Sequence, residues 1–136
     1  MYHFLQDGGI HKGIHIMYGL PKTFNPSFLL GKTVEQVCFA QYHVLLCFGS
    51  KIWIQVEGKY ILYCGSEIME SVAFEAPVSE SGLLHLIEKT VIDVSFEIES
   101  GDITLVFTDN FKLLINGDTG PYESYRLCDG ENEILV

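Results

Sequence analysis

The chain has 136 residues, of which 48% are hydrophobic and 19% are charged. This length and composition suffice to bury one hydrophobic core, so they exclude intrinsic disorder and predict a single folded domain. The formal net charge of −10 at pH 7 excludes nucleic acid as a partner, because the two would repel each other. No segment reaches the ~20 apolar residues of a membrane span, and the first residues do not resemble a secretory leader. We therefore expect a cytoplasmic protein without membrane contact.

Residues 1–25 are interpreted as an N-terminal arm, because they show no helical or strand periodicity. They contain His3, His11 and His15, and the last two are four residues apart, a spacing that suits one metal ion on a helix. Glycines at positions 8, 9 and 13 disfavour a helix there. We therefore predict no metal site and no other cofactor, and the role of the arm stays open.

An internal repeat follows the arm. Residues 32–39 return as residues 89–96 with five identities in eight positions. Three further blocks match in the same order, namely 44–48 with 103–107, 51–54 with 112–115, and 60–63 with 122–125. Matching blocks in one order predict two copies of the same unit, since insertions gather in turns while strands keep their length.

Each unit begins with a predicted short helix. In the first unit Asn25 caps a helix that ends at Gly31, and in the second Ser79 or Ser81 caps a helix that runs to Ile87. Segments rich in β-branched and aromatic residues follow, separated by turn residues at hairpin spacing. We therefore predict an α+β fold, predominantly β. Its two repeated helix-plus-antiparallel-meander units, at about 26–64 and 79–136, pack with pseudo-twofold symmetry in a single domain, 26–136. Residues 64–77 are predicted to link the units.

The four cysteines are widely spaced and include no Cys-x-x-Cys pair. Cys38, Cys47 and Cys64 lie in apolar, strand-like segments, and Cys128 follows near the end of the chain. Free thiols that pack as small hydrophobic groups are the favoured interpretation, over disulfides or metal ligands.

The segment at residues 121–126 contains the only arginine of the chain beside two tyrosines. Both residue types are frequent at binding hot spots. On a strand, Tyr122 and Arg126 share one face while Glu123 and Tyr125 share the other. The alternative is structural, with aromatic pairs and a Glu–Arg contact holding the last hairpin. The candidate binding residues are Tyr122, Glu123, Tyr125 and Arg126, together with Glu57, Lys59 and Tyr60 near the matching part of the first unit.

Three features together resemble a family of small, strand-rich bacterial proteins of unknown function. They are Leu-Gly-Lys-Thr-Val at 30–34, the strand that ends at Phe48, and Tyr-Glu-Ser-Tyr at 122–125. The resemblance covers about residues 28–136. Members of such families often lie beside toxin genes, so the resemblance implies an immunity role, and it supplies no catalytic residues.

The charge is unevenly distributed along the chain. Residues 1–63 carry a net charge of +2, whereas residues 64–136 carry fifteen acids and three bases, a net charge of −12. No nucleophile elbow or phosphate-binding loop is present in the sequence. We therefore expect a non-enzymatic binding protein, an immunity-type inhibitor that covers a basic surface of a toxin or effector. The alternatives are a small-ligand or nucleotide-binding protein with a pocket between the repeats, and a structural subunit. We also expect a homodimer, because edge strands invite pairing.

Overall fold

The computed structural model describes residues 25–49, 51–72, 81–117 and 124–136. These residues form ten strands and three short 3₁₀ turns, at Pro26–Leu29, Gly82–Leu86 and Thr108–Asn110. The strands are β1 (Gln36–Phe39), β2 (Val44–Cys47), β3 (Ile52–Val56), β4 (Tyr60–Cys64), β5 (Glu67–Val72), β6 (Val91–Phe96), β7 (Ile103–Phe107), β8 (Phe111–Ile115), β9 (Tyr125–Asp129) and β10 (Glu133–Leu135).

Ten antiparallel strands form two five-stranded sheets. Sheet 1 has the order β1-β2-β3-β9-β10, and sheet 2 has the order β5-β4-β8-β7-β6. All strand pairs are antiparallel. Each sheet therefore combines three consecutive strands of one half of the chain with two strands of the other half.

The predicted α+β fold of two helix-plus-antiparallel-meander units with pseudo-twofold symmetry is wrong. Where helices were predicted, the described residues form only single 3₁₀ turns of four and five residues. The predicted caps are present, because the side chains of Asn25 and Ser81 accept hydrogen bonds from Ser27 N–H and Leu83 N–H. Nucleating an α-helix costs more than so few residues can recover, so each segment stops after one turn. No helix in the described ranges is long and apolar enough to cross a membrane.

The meanders are also not self-contained, because the chain changes sheets between β3 and β4 and again between β8 and β9. The two sheets nevertheless have equivalent strand orders. Counted from β6, sheet 2 reads β6-β7-β8-β4-β5, which corresponds to β1-β2-β3-β9-β10 in sheet 1. Val44 lies opposite Val56 and Val56 opposite Tyr125 in sheet 1, while Ile103 lies opposite Ile115 and Ile115 opposite Tyr60 in sheet 2. Tyr60 thus holds the place in sheet 2 that Tyr125, not Tyr122, holds in sheet 1.

Alternating side chains of both sheets build one hydrophobic core. In β2, β3 and β7 every second residue is buried, as the period of a strand requires. The core also takes in Leu29 and Leu86 from the first two 3₁₀ turns. Its largest fully buried members, beside these, are Tyr60, Tyr125, Phe107, Leu46, Ile54, Leu62, Leu83, Ile103 and Leu105.

Reciprocal hydrogen bonds join the segments that lead into β1 and β6. Val34 N–H donates to Lys89 O at 3.0 Å, and Val91 N–H donates to Lys32 O at 2.9 Å. Between them the hydroxyls of Thr33 and Thr90 lie 2.7 Å apart. Since β1 and β6 are edge strands of different sheets, these bonds tie the two sheets together along one side.

The segment predicted as a linker contains a strand. β5 pairs with β4 through the two-residue turn Gly65-Ser66, and it forms one edge of sheet 2. Gly65 has a φ of 64°, a conformation that glycine adopts without strain. The division into an arm at 1–25 and a domain at 26–136 stays a prediction, because almost all of the arm lies outside the described residues.

Candidate functional site

Two of the predicted binding residues, Tyr60 and Tyr125, lie in the core. Their exposed fractions are 1% and 0%. The Tyr60 hydroxyl donates to Glu70 Oε1 at 3.0 Å, and the Tyr125 hydroxyl donates to the carbonyl oxygen of Gly101 at 2.6 Å. Burial raises the pKa of both phenols, so both stay neutral at physiological pH. In this structure these tyrosines hold the fold and present no surface to a partner.

Glu57 and Arg126, which the sequence also singled out, do meet on the outer face of sheet 1. Arg126 Nε lies 3.4 Å from Glu57 Oε2, and Arg126 Nη1 lies 3.6 Å from Glu133 Oε1. Gln55, opposite Arg126 in the β3–β9 register, donates to Glu57 Oε2 at 3.3 Å. The one arginine is therefore compensated by two carboxylates from neighbouring segments, which is the structural alternative considered for it.

Of the remaining predicted residues, only Lys59 is among those that the structure describes. Lys59 is exposed in the connection between β3 and β4, where its carbonyl oxygen accepts a hydrogen bond from Asn116 N–H. Tyr122 and Glu123 lie outside the described residues, as do His3, His11 and His15. The structure thus brings Glu57 and Arg126 together, and it separates them from Tyr60 and Tyr125 by placing those two side chains in the core.

The outer face of sheet 1 also carries three of the cysteines. Cys47 and Cys128 flank Trp53 in one row across β2, β3 and β9. Burial raises the pKa of the Cys47 thiol, and the nearby thiol of Cys38 raises it further. All four cysteines are free, but Cys38 and Cys64 are exposed and the other two are half-buried. The expectation that they pack as buried hydrophobic groups is therefore wrong, because each lies at an outward or end position of its strand.

A second cluster of polar side chains lies at the β6 edge of sheet 2. Asp93, Ser95 and Glu97 occupy alternate positions along this edge strand and its end, and Glu99 follows in the turn. Asp93, Glu97 and Glu99 are all exposed. None of the three carboxylates makes an ion pair with another described residue. We call Asp93, Glu97 and Glu99 the acidic edge.

The cations of the same half of the chain are engaged elsewhere. Lys89 Nζ lies 2.8 Å from Asp109 Oδ2, and Lys112 Nζ lies 4.5 Å above the ring of Tyr63. Arg126 is held by Glu57 and Glu133 on the other sheet. None of these three cations pairs with the acidic edge, so the electrostatic potential there is negative.

A cavity of about 230 Å³ opens beside the acidic edge. It lies where β6, β7 and β8 are adjacent, and Ser95 and Thr104 face each other across the β6–β7 pair. It is lined by Glu97 and Asp102, which carry carboxylates, by Ser95 and Thr104, which carry hydroxyl groups, and by the apolar Leu114. Phe96 also borders it, but the ring of this residue packs against the core on the other face of the sheet.

Asp102 is held in place by the backbone of a neighbouring turn. Its Oδ1 accepts a hydrogen bond from Gly117 N–H at 2.8 Å, and its carbonyl oxygen accepts one from Glu97 N–H at 2.9 Å. Gly117 itself is packed so closely that an added Cβ would lie 2.3 Å from the carbonyl carbon of Gly101. The buried hydroxyl of Ser124 donates to Gly117 O. The carboxylate at the rim of the cavity is thus fixed before any ligand arrives.

Sequence reasoning missed most of this cavity. Glu97 and Asp102 entered the sequence analysis only as two of the fifteen acids of residues 64–136, and Thr104 and Leu114 only as members of matching strand blocks. The sequence does show that Ser95 and Thr104 carry hydroxyl groups at strand positions that can face solvent. Placing the two side chains opposite each other requires the β6–β7 register, which the sequence alone does not reveal.

Comparison with protein-family models, curated proteins and solved structures found no match to the chain.

Proposed function

We propose that this chain is a non-enzymatic binding protein whose acidic edge covers a basic surface of a protein partner. The observation that carries the proposal is the set of three exposed carboxylates without ion pairs among the described residues, beside a small cavity, while the cations of the same half are engaged elsewhere. Such a field attracts a positively charged surface and speeds its association.

An immunity-type inhibitor of a toxin or effector is the specific form of this function that we propose. It is supported by the charge of the second half of the chain. The resemblance of residues 30–34, of the strand that ends at Phe48 and of residues 122–125 to small bacterial proteins of unknown function also supports it, because members of such families often lie beside toxin genes. A nuclease or other effector with a basic active site would present the complementary surface. Such an inhibitor would act in the cytoplasm, where we place the protein.

The alternative of a nucleotide or other small ligand has less support. The cavity of about 230 Å³ is smaller than the roughly 300–1,000 Å³ typical of sites for drug-sized ligands. Two of its lining groups are carboxylates, which repel phosphate. It is also built from sheet 2 alone, whereas the expected ligand pocket lay between the two repeats.

The test uses a basic probe and two variants of equal charge. Asp93, Glu97 and Glu99 are changed to lysine in the edge variant, and three exposed acids elsewhere, Glu35, Glu67 and Glu131, are changed to lysine in the control variant. The probe is a short fluorescent peptide of alternating arginine and serine, and binding is followed by anisotropy at low salt.

We expect the edge variant to lose more than about tenfold in affinity, because local charges dominate when screening acts over ~8–10 Å. The control variant should lose only a small factor from its changed net charge. Equal losses in the two variants would mean that the peptide responds to net charge alone, and the acidic edge would then not be a binding surface.

A further inference from the structure

The cavity beside the acidic edge has the dimensions of a receptor for one side chain. Its volume of about 230 Å³ is below the usual range for drug-sized ligands, yet it is open to solvent at the edge of the sheet. A long side chain from a protein partner enters such a depression without any opening of the core.

The walls of the cavity differ in chemistry from side to side. Leu114 supplies apolar surface, and Ser95 and Thr104 supply hydroxyl oxygens opposite each other on β6 and β7. Glu97 and Asp102, at the two ends of the β6–β7 turn, supply the carboxylates, and the second of these is fixed by Gly117 N–H. A ligand that fits must therefore have an apolar stem and a cationic head with several hydrogen-bond donors.

Among the amino acids, arginine meets this description best. Its methylene groups pack on apolar surface while its guanidinium directs five N–H donors in one plane, which suits carboxylates on more than one side. The lysine ammonium has three donors and is more strongly hydrated, so it loses more on entering. Lys112, two residues before Leu114 on β8, lies over Tyr63 on β4, on the side of β8 away from β7.

We propose that this cavity binds the side chain of an arginine on the surface of the basic partner. The inference rests on the proposed function and adds the anchor: Glu97 and Asp102 pair with the guanidinium, and Leu114 packs against its stem. The acidic edge attracts the partner, and the cavity holds one of its residues in a fixed register.

The test uses a minimal probe, N-acetyl-arginine amide, with the corresponding lysine and citrulline compounds for comparison. Binding to the full chain is followed by nuclear magnetic resonance titration, together with intermolecular Overhauser effects between the arginine methylenes and the methyl groups of Thr104 and Leu114. The variants are Glu97→Gln and Asp102→Asn, the second of which keeps an oxygen for Gly117 N–H. Glu131→Gln is the matched control, because it removes one exposed carboxylate from the turn between β9 and β10.

We expect the arginine compound to bind more tightly than the lysine compound, the citrulline compound not to bind, and the Overhauser effects to appear. Glu97→Gln and Asp102→Asn should each weaken binding roughly threefold, as loss of a partly exposed charged pair does, and Glu131→Gln should leave it unchanged. Equal binding of the lysine compound, absence of the Overhauser effects, or full binding by the two cavity variants would overturn the inference.

A blocking variant separates failure of this inference from failure of the proposed function. Ser95 is exposed, so Ser95→Phe fills the mouth of the cavity without entering the core. If the arginine–serine peptide binds Ser95→Phe as tightly as the wild type while the edge variant loses binding, the cavity is not the anchor and the acidic edge still is. If Ser95→Phe loses at least threefold while melting at the wild-type temperature, the anchor is supported.

Discussion

Buried tyrosines carry the clearest chemistry at the scale of single residues. Tyr125 is fully buried and donates to Gly101 O, and burial raises the pKa of its hydroxyl well above the ordinary value of 10.0. The unfolded chain ionises this phenol near pH 10, whereas the folded chain keeps it neutral to higher pH. Between these values the unfolded state binds fewer protons than the folded state, so stability falls as the pH rises.

The first prediction follows from that sign. The contribution of Tyr125 to stability should be complete below about pH 10 and should decline by at most about 1.4 kcal/mol per pH unit above it. Tyr125→Phe should be less stable by about 1 kcal/mol at pH 7, through the lost hydrogen bond, and this deficit should shrink above pH 10. Urea unfolding across roughly pH 8–11 measures both effects. The exposed Tyr42 supplies the control at pH 7, since Tyr42→Phe removes a hydroxyl at the surface and breaks no buried hydrogen bond. A constant deficit for Tyr125→Phe at all pH values would contradict the assignment.

Gly117 gives the second prediction, because two backbone segments leave no room for a side chain there. An added Cβ would lie within 2.5 Å of the carbonyl atoms of Ser100 and Gly101. Gly117→Ala should therefore cost at least about 2 kcal/mol through forced displacement of the turn that carries Asp102. Gly65→Ala is the matched control, because Gly65 has open space and a φ of +64°, so alanine there costs only about 1 kcal/mol. Urea unfolding that ranks Gly65→Ala as the worse variant would contradict the packing at Gly117.

The sequence predicted part of the arrangement of these side chains. Strand alternation placed Tyr125 and Arg126 on opposite faces, and the structure places Tyr125 in the core and Arg126 outside, beside Glu57. It did not reveal which face is inward, because aromatic residues serve in cores and in interfaces alike. The sequence also did not predict the fixed position of the Asp102 carboxylate. The hydrogen bond that holds it comes from Gly117 N–H, which is fifteen positions away in the sequence.

At the scale of elements, strands were easier to foresee than helices or sheet order. Alternating apolar residues marked β2, β3 and β7 correctly, because one face of each enters the core. β5 was missed, since its sequence Glu-Ile-Met-Glu-Ser-Val lies on an exposed edge and carries little alternation. β4 joins β8 in sheet 2, and β9 joins β3 in sheet 1. These pairings connect residues far apart in sequence, so local strand propensity does not predict them.

The third prediction concerns self-association through β5. Among the described residues β5 has a neighbouring strand on one side only, and its Ile68 and Met69 have exposed fractions of 60% and 43%. Pairing of β5 with its copy would satisfy that backbone and cover both side chains, so we expect a homodimer. Ile68→Lys should shift the chain to monomer, because two buried lysines would face each other. Sedimentation equilibrium at micromolar concentration measures this, with Ile92→Lys on the opposite edge strand, β6, as the control. A wild-type chain that sediments only at 15.3 kDa would contradict the prediction.

At the scale of the whole molecule, the fold determines where on the surface the acidic residues gather. The sequence revealed that residues 64–136 are strongly acidic, but the fold distributes those acids between both sheets. Glu133 pairs with Arg126 on sheet 1, whereas Asp93, Glu97 and Glu99 collect at one edge of sheet 2. The local field therefore depends on which acids are left without cations, and that is decided by strand order rather than by composition.

The location of partner binding is tested most directly by hydrogen–deuterium exchange of the full chain with and without the arginine–serine peptide. Backbone amides near a bound partner lose access to solvent and exchange more slowly. We expect slower exchange in residues 93–104, which contain the acidic edge and most of the cavity lining, and unchanged exchange in residues 126–133 around Arg126. Slower exchange confined to residues 126–133, with residues 93–104 unaffected, would contradict it.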